Sequence, residues 1–378
     1  MTDASREPDV LIVGAGVMGL SLAWALLKRR RRVLCIDRSS PGREASAATA
    51  GTLAVQNKPL ASIQLTLASL RLWQGFRQEL GRDVEFEVRG GVRVAHTPED
   101  VEKLERSAAA QAAAGAPVEM LDRTVLFSTA PYLSRNIQAA SFCALDAMVN
   151  PFLAVRALFV ACRSAGAAFE LNCPAPRLAI GGDGSVRVQS GDRTFAAPSV
   201  VIAAGAWICE LAAQVGTGLP ITTKVQQVLI TDSGAARLPH VVTHVRGNLT
   251  LKQQAVTGKV LVGGGWSGVG DEVSAVRRLT RDSIVGNARA AIETVPFLAK
   301  ARLLRAWTGF EGRTPDKLPV IGALAGQPSV HVLGCASGGL TLSPAAGELL
   351  AQILCDELPS LPVEPFAPSR FASGSPVD

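Results

Sequence analysis

Near the N-terminus, Val10-Leu11-Ile12-Val13 runs straight into Gly14-Ala15-Gly16-Val17-Met18-Gly19, and a second apolar run, Val33-Leu34-Cys35-Ile36, ends on Asp37. No other stretch restricts the fold as tightly. It predicts a buried strand, a Gly-x-Gly-x-x-Gly turn, a helix, and a second strand with a carboxylate at its tip. In such a unit Gly14 permits a tight turn, Gly16 lets backbone approach a pyrophosphate, and Gly19 lets the helix lie close to the sheet. The helix N-terminus then faces the phosphate charge. Asp37, 18 residues after Gly19, is spaced to accept hydrogen bonds from a ribose, with Arg38 beside it. The glycines alone also suit a packing turn without a ligand, but the ordered set points to a bound dinucleotide.

Composition is compatible with this. A chain of 378 residues has room for two domains or one elaborated one. A hydrophobic content of 48% implies a large core, with apolar surface left over for a partner. No apolar run approaches the roughly 18 residues of a membrane span, and Met1 to Asp9 is polar and of mixed charge, unlike a signal peptide. The seven cysteines are scattered without a Cys-x-x-Cys pair, so reduced thiols and a cytoplasmic location are expected, with no metal centre. Much of the net charge of +6 comes from Lys28-Arg29-Arg30-Arg31-Arg32 at the end of the first helix, where cations complement the dipole. A solvated helix end is a better reading than a nucleic-acid patch, because aromatics make up only 5% of the chain.

Later segments bear on which dinucleotide is bound. Arg43 to Thr52 is rich in small residues, and Ser46, Ala48, Ala50, Gly51 and Thr52 would let backbone lie against a flat ring system. A plain loop is the alternative. Val200 to Trp207 again reads as a buried strand opening into a glycine turn, adding Ala203, Ala204, Gly205 and Trp207 as cofactor contacts. Trp307 to Gly322, with Gly312, precedes a further strand and a Gly-rich turn carrying Gly338, Gly339, Leu340 and Thr341. A helix from about Ala345 to Asp356 follows, with a dipole suited to the carbonyl end of a reduced flavin.

These segments, in this order, resemble the FAD-dependent amine and amino-acid oxidases of the D-amino-acid oxidase superfamily, which includes glycine and sarcosine oxidases. Thr314-Pro315-Asp316 followed by Pro319-Val320-Ile321-Gly322, and Asp146 to Pro151 ahead of a helix, carry the likeness. The wording Gly309-Phe310-Glu311-Gly312-Arg313-Thr314-Pro315-Asp316 is most similar to the flavin subunits of opine oxidases, D-hydroxyproline dehydrogenases and hydrogen cyanide synthase. The resemblance implies hydride transfer from an amine-bearing carbon to flavin N5, giving an imine that water hydrolyses, with no obligatory base. Of the four histidines, His331 enters a strand and reads as structural; His96, His240 and His244 carry no assigned role.

The departures from the family are informative. The arginine that relatives place after Trp-x-Gly-x to clamp the substrate carboxylate is Glu311 here. Their basic residue in the last Gly-rich turn falls at Ser337 or Thr341, both uncharged. The cysteine that carries flavin covalently in sarcosine oxidases falls at Gly309, so noncovalent FAD is expected. Candidate catalytic residues are Glu311 and Arg313, which would otherwise simply pair with each other. Candidate substrate-binding residues are Lys252, Trp266 and Ser337.

The fold class implied is α/β: a Rossmann-like FAD-binding domain (1–82, 147–218 and 306–378) with a second, antiparallel-sheet substrate domain (83–146 and 219–305). Alternating apolar residues predict roof strands at Gln226 to Thr231, Asn248 to Lys252 and Lys259 to Gly263. Ser107 to Gly115 predicts a surface helix, and Leu358 to Asp378 a tail that covers the body or docks on a partner. The favoured activity is FAD-dependent oxidation of an amino acid, imino acid or opine by one subunit of a hetero-oligomer that carries electrons away. The alternatives are a self-sufficient oxidase making hydrogen peroxide, an NAD-dependent oxidoreductase, and a structural flavin-binding subunit.

Overall fold

The computed structural model describes residues 7–182 and 185–371. Residues 1–6 of the polar start and 372–378 of the tail lie outside the described residues. Val10–Val13 is buried throughout and pairs in parallel with Val33–Asp37 on one side and Ser199–Ile202 on the other. These strands read as continuous apolar runs because a parallel sheet is covered on both faces. Ala168–Leu171 extends the sheet in parallel beyond Val33–Asp37. On the opposite side Gln327–Gly334 adds in parallel to Ser199–Ile202, and Val320–Leu324 closes the edge antiparallel, giving six strands.

One face of this sheet is buried by the helices Val17–Lys28 and Gly339–Leu354, against which Ile63–Glu79 and Pro151–Ser164 pack. The other face is covered by a small meander, Arg177–Ile180, Val186–Ser190 and Arg193–Ala197. The late helix begins at Gly339, ahead of the expected start at Ala345, and carries Pro344 inside it. A proline there cannot donate to the Leu340 carbonyl. The Ser343 hydroxyl donates to it instead, at 3.0 Å, so the helix survives its proline.

A second sheet of eight strands lies across the first layer. Its long pair is Thr222–Asp232 against Arg302–Arg313, antiparallel, with Lys224 opposite Glu311 and a register shift between Ile230 and Thr231. Val260–Gly263, Thr250–Gln253, Val241–His244, Gly91–Ala95, Ala139–Cys143 and Val118–Leu121 complete it. The three roof strands expected from alternation are present, the first of them longer than expected because Arg302–Arg313 pairs along its whole length. That pairing also takes residues 306–313 into the roof sheet, although 306 onward was expected in the cofactor layer.

The cationic run is largely neutralised. Arg29 pairs with Glu348 (2.5 Å) and Glu357 (2.8 Å), which ties the first helix to the last, and Arg32 pairs with Asp9 (2.5 Å). Ser107 to Gly115 falls within and just after the helix Pro98–Ala113, which buries Leu104 and Ala108. The described part of the tail folds back on the body: Phe366 is buried beside the first and last helices, and Arg370 pairs with Asp316 at 2.8 Å. Among the described residues no helix is long and apolar enough to cross a membrane, and no cluster of side chains is suited to a metal ion.

Candidate active site

The two sheets enclose one continuous cavity of about 620 Å³. Its cofactor end is set by the first glycine turn. Gly14 has φ +117°, and a Cβ there would strike the Ala203 carbonyl; a Cβ on Gly19 would strike the Gly14 carbonyl. Both glycines are therefore needed for backbone packing. Gly16 differs, since a Cβ there meets only Ser46 Oγ, at 3.4 Å, and otherwise faces the cavity. Gly16 leads into the helix Val17–Lys28 without a side-chain cap of its own, and Val17 N donates to Ser46 Oγ at 3.0 Å.

Asp37 lines the cavity and braces the turn. Its Oδ2 accepts from Ala15 N at 2.7 Å and its Oδ1 from Ser39 N at 2.8 Å. Burial raises its pKa against these bonds. Each oxygen keeps a second lone pair for a ribose hydroxyl. Val17, Met18, Arg38, Ser46, Ala48, Ala50 and Thr52 also line the cavity. Ala203, Ala204, Gly205 and Trp207 face it from the next strand end, with the Arg38 guanidinium 3.6 Å from the Trp207 ring centroid.

Ala15 and Gly51 are exceptions to the expected set of contacts. Ala15 is fully buried and spends its N–H on Asp37; Gly51, at φ +75°, backs onto the Val149 carbonyl. Neither borders the cavity. Gly338, Gly339, Leu340 and Thr341 do, at the N-terminus of the late helix, whose N-cap Gly338 is left-handed and offers no side-chain cap. Gln227, fully buried and also lining the cavity, has both amide atoms without a partner. Two helix N-termini with glycine at the N-cap, a bare Gly16 and orphaned polar atoms together fit FAD, which the first turn, Asp37, the small-residue loop, 203–205 and 338–341 would hold.

At the roof end, Glu311, Gly312 and Arg313 line the cavity from the strand Arg302–Arg313. Arg313 Nε donates to Glu311 Oε2 at 2.7 Å, so the pair is both at the site and joined as an ion pair. Ser337 borders the cavity as expected. Lys252 and Trp266 do not. Lys252 is 2% exposed and its Nζ donates to the Val149 carbonyl at 2.5 Å, behind Gly51, while burial pushes its pKa down to about 7. It ties the roof to the loop beneath. The Trp266 indole stacks into the space left by Gly286 on the helix Arg281–Thr294. Gly309 leaves no room for a cysteine: its Cβ would lie 2.7 Å from Ala48 Cβ.

Sequence reasoning missed several cavity residues, chiefly Lys58, Arg93, Lys224, Gln227 and His244. Burial lowers Lys58 and Lys224 each to about 8 and Arg93 to about 10. Arg93 Nη1 donates to the Gln56 carbonyl, and Gln111 Nε2 donates to the Gln56 carbonyl at 2.7 Å and the Lys58 carbonyl at 3.2 Å. Asp146 completes this frame. It accepts from Val55 N at 2.7 Å and Gln56 Nε2 at 3.2 Å, just ahead of the Asn150-capped helix Pro151–Ser164. The loop bearing Lys58 is thus held rigidly from below. His244 Nε2 lies 3.0 Å from His96 Nδ1, and burial lowers His244 to about 4, so it is neutral at ordinary pH. His331 is buried in its strand with its pKa lowered to about 4, as befits a structural residue.

Asp146→Ala should destabilise the protein by about 1–3 kcal/mol, because buried donors on Val55 and Gln56 lose their acceptor; urea denaturation reads this directly. Burial raises the Asp146 carboxyl from 3.8 to about 6. Its folded form therefore holds the proton more tightly than the unfolded chain does, and stability from this group is lost as pH climbs through that window. Asp146→Asn should flatten the fall in stability between about pH 4 and 6.

The family model of FAD-dependent oxidoreductases matches residues 9–353. The chain is 29% identical over 375 residues to the glycine oxidase of Geobacillus kaustophilus, covering 96% of this chain and 97% of that one. It is 27% identical over 420 residues to hydrogen cyanide synthase subunit HcnC of Pseudomonas protegens, covering 97% of each. It is also 27% identical over 344 residues to an opine oxidase subunit of Rhizobium meliloti, covering 88% of this chain and 89% of that one. The crystal structure of the Geobacillus glycine oxidase superposes with a TM-score of 0.89 at 26% identity, over 97% of this chain and 99% of that one. Glycine turn, cavity-lining carboxylate, two helix N-termini and roofed cavity thus agree with the comparisons, and the chain belongs to the family of FAD-dependent oxidoreductases.

Proposed function

We propose that this protein oxidises the CH–NH bond of an amino acid, imino acid or opine to the imine, as the flavin-bearing subunit of a multi-subunit dehydrogenase. The observation that carries this reading is the single cavity joining the cofactor groove to a charged roof, where Glu311 and Arg313 stand. FAD, when bound, supplies the hydride acceptor. The chain's own residues then have three tasks: Glu311 favours an amine nitrogen near it, the roof strands shed water from the reacting bond, and the rigid loop under Lys58 fixes the wall. The likeness to proteins named as subunits of opine oxidase and hydrogen cyanide synthase supports the multi-subunit reading. A self-sufficient oxidase is the competing reading, favoured by the glycine oxidase relative.

Acid precipitation of the purified protein should release all flavin to the supernatant, since Gly309 leaves no thiol for attachment; a yellow pellet refutes noncovalent binding. Anaerobic addition of D-amino acids, imino acids, glycine and opines should bleach the flavin with at least one class. Expressed alone, the chain should reduce an artificial dye faster than it consumes oxygen. Rapid peroxide formation by a monodisperse homomer would overturn the subunit reading and leave the oxidase.

A further inference from the structure

Lys58 carries its charge into a place that repels it. The side chain is only 6% exposed and borders the cavity, and its Nζ donates to the carbonyls of Ser337 (3.4 Å) and Gly338 (3.5 Å). Gly338 is the N-cap of the helix Gly339–Leu354, and Nζ lies where a Cβ on Gly338 would stand. The N-terminus of a helix carries about half a positive charge, so the ammonium group and the helix end are like charges on one wall. No carboxylate pairs with Lys58 among the described residues; Glu311 on the roof and Asp146 in the frame below act on it only through space. Withdrawing an ammonium group from water without a counter-ion is costly. The fold nevertheless holds it there, because Asp146, Arg93 and Gln111 fix the backbone of residues 55–58 from below.

A wall of this kind lacks one negative charge, and reduction of FAD creates one. Hydride transfer carries two electrons and one proton from carbon to the ring. The carbon–nitrogen bond becomes double, and the ring gains one hydrogen and one net negative charge, spread towards its carbonyl end. We propose that Lys58 is the counter-ion of that charge and sets the reduction potential of the bound FAD. The inference rests on FAD seated as described for the candidate site, with the carbonyl end of the ring at 338–341, and it requires no particular amine. The partners of Lys58 belong to this cofactor wall, whereas Lys224 projects from the roof, where it stands opposite Glu311 across the paired strands. Burial lowers Lys58 only to about 8, so it keeps its proton at pH 7.

The test is an equilibrium redox titration of the FAD-loaded protein at pH 7 against a reference dye, with no amine present. Lys58→Met should make two-electron reduction about ten- to a hundredfold less favourable, a fall of about 30–60 mV in potential. Lys58→Arg should restore most of it. Sulfite adds to the oxidised ring at N5 and leaves the same negative charge at the carbonyl end. Its dissociation constant, read from bleaching of the flavin band, should rise about ten- to a hundredfold in Lys58→Met and recover in Lys58→Arg. Neither measurement involves turnover. A lysine that only pins the Gly-rich turn through its two carbonyls would, on removal, lower FAD content or Tm while the loaded fraction kept its wild-type potential and sulfite affinity; that result overturns the inference. A wild-type potential combined with a raised KM also overturns it, by assigning Lys58 to a substrate carboxylate instead. If Lys58→Met retains too little FAD to titrate, Lys58→Gln carries the same expectations. Failure of every amine to bleach the flavin would overturn the proposed function but not this inference, since the titration uses a dye.

Discussion

Gly16→Leu should give a folded protein that carries no FAD. The three glycines of the first turn are not equivalent: side chains at Gly14 and Gly19 would collide with backbone of the protein itself, whereas one at Gly16 meets only a hydroxyl at 3.4 Å. Gly16 faces the cavity at the N-terminus of the helix Val17–Lys28, where backbone N–H groups and the dipole would bind a phosphate. An isobutyl group there fills ligand space without disturbing the strand or the helix. Flavin absorbance per mole of protein should fall to background, while circular dichroism and the thermal transition of the apoprotein stay unchanged. Gly14→Leu should instead lower solubility or abolish folding, because φ +117° is closed to it and the Ala203 carbonyl stands in the way. Stoichiometric FAD in Gly16→Leu would show that the pyrophosphate lies elsewhere.

Glu311→Gln should weaken substrate binding by about 1.5–3 kcal/mol, seen as a roughly ten- to hundredfold rise in KM or apparent Kd. The carboxylate is half-buried at the roof end and shares its charge with Arg313 at 2.7 Å. Glutamine keeps the shape and one acceptor but removes the negative charge that favours a cationic nitrogen. Arg313→Ala should shift KM in the same direction by releasing Glu311 from its orientation. Flavin content should be unaltered in both, since neither residue belongs to the glycine turns. Wild-type kinetics in both variants would remove Glu311 and Arg313 from the site and return them to a surface ion pair.

Most of the cofactor half was readable along the chain, because local rules act there. A tight turn demands glycine, a buried parallel strand demands apolar residues on both faces, and an acid eighteen residues on lands at the neighbouring strand tip. Where the reading slipped, tertiary packing overrode local signals. The late helix starts at Gly339 rather than near Ala345, and inside it the Ser343 hydroxyl donates to the Leu340 carbonyl that Pro344 cannot serve. Ala15 belonged to the motif, yet its N–H serves Asp37.

The substrate half was far less legible. Lys252 and Trp266 are of the right residue types, but strand pairing turned Lys252 onto the Val149 carbonyl and the gap at Gly286 took the Trp266 indole. Lys58 carried no motif at all. It reaches the Gly-rich turn because Asp146, Gln111 and Arg93, distant in sequence, converge beneath residues 55–58. The sequence by itself determined the dinucleotide-binding unit, the roof strands and the family, since each follows from spacing and alternation within a few dozen residues. Only the tertiary structure decided which charges meet across the cavity, because burial, register between Lys224 and Glu311, and the loss of counter-ions exist only once the two sheets have closed.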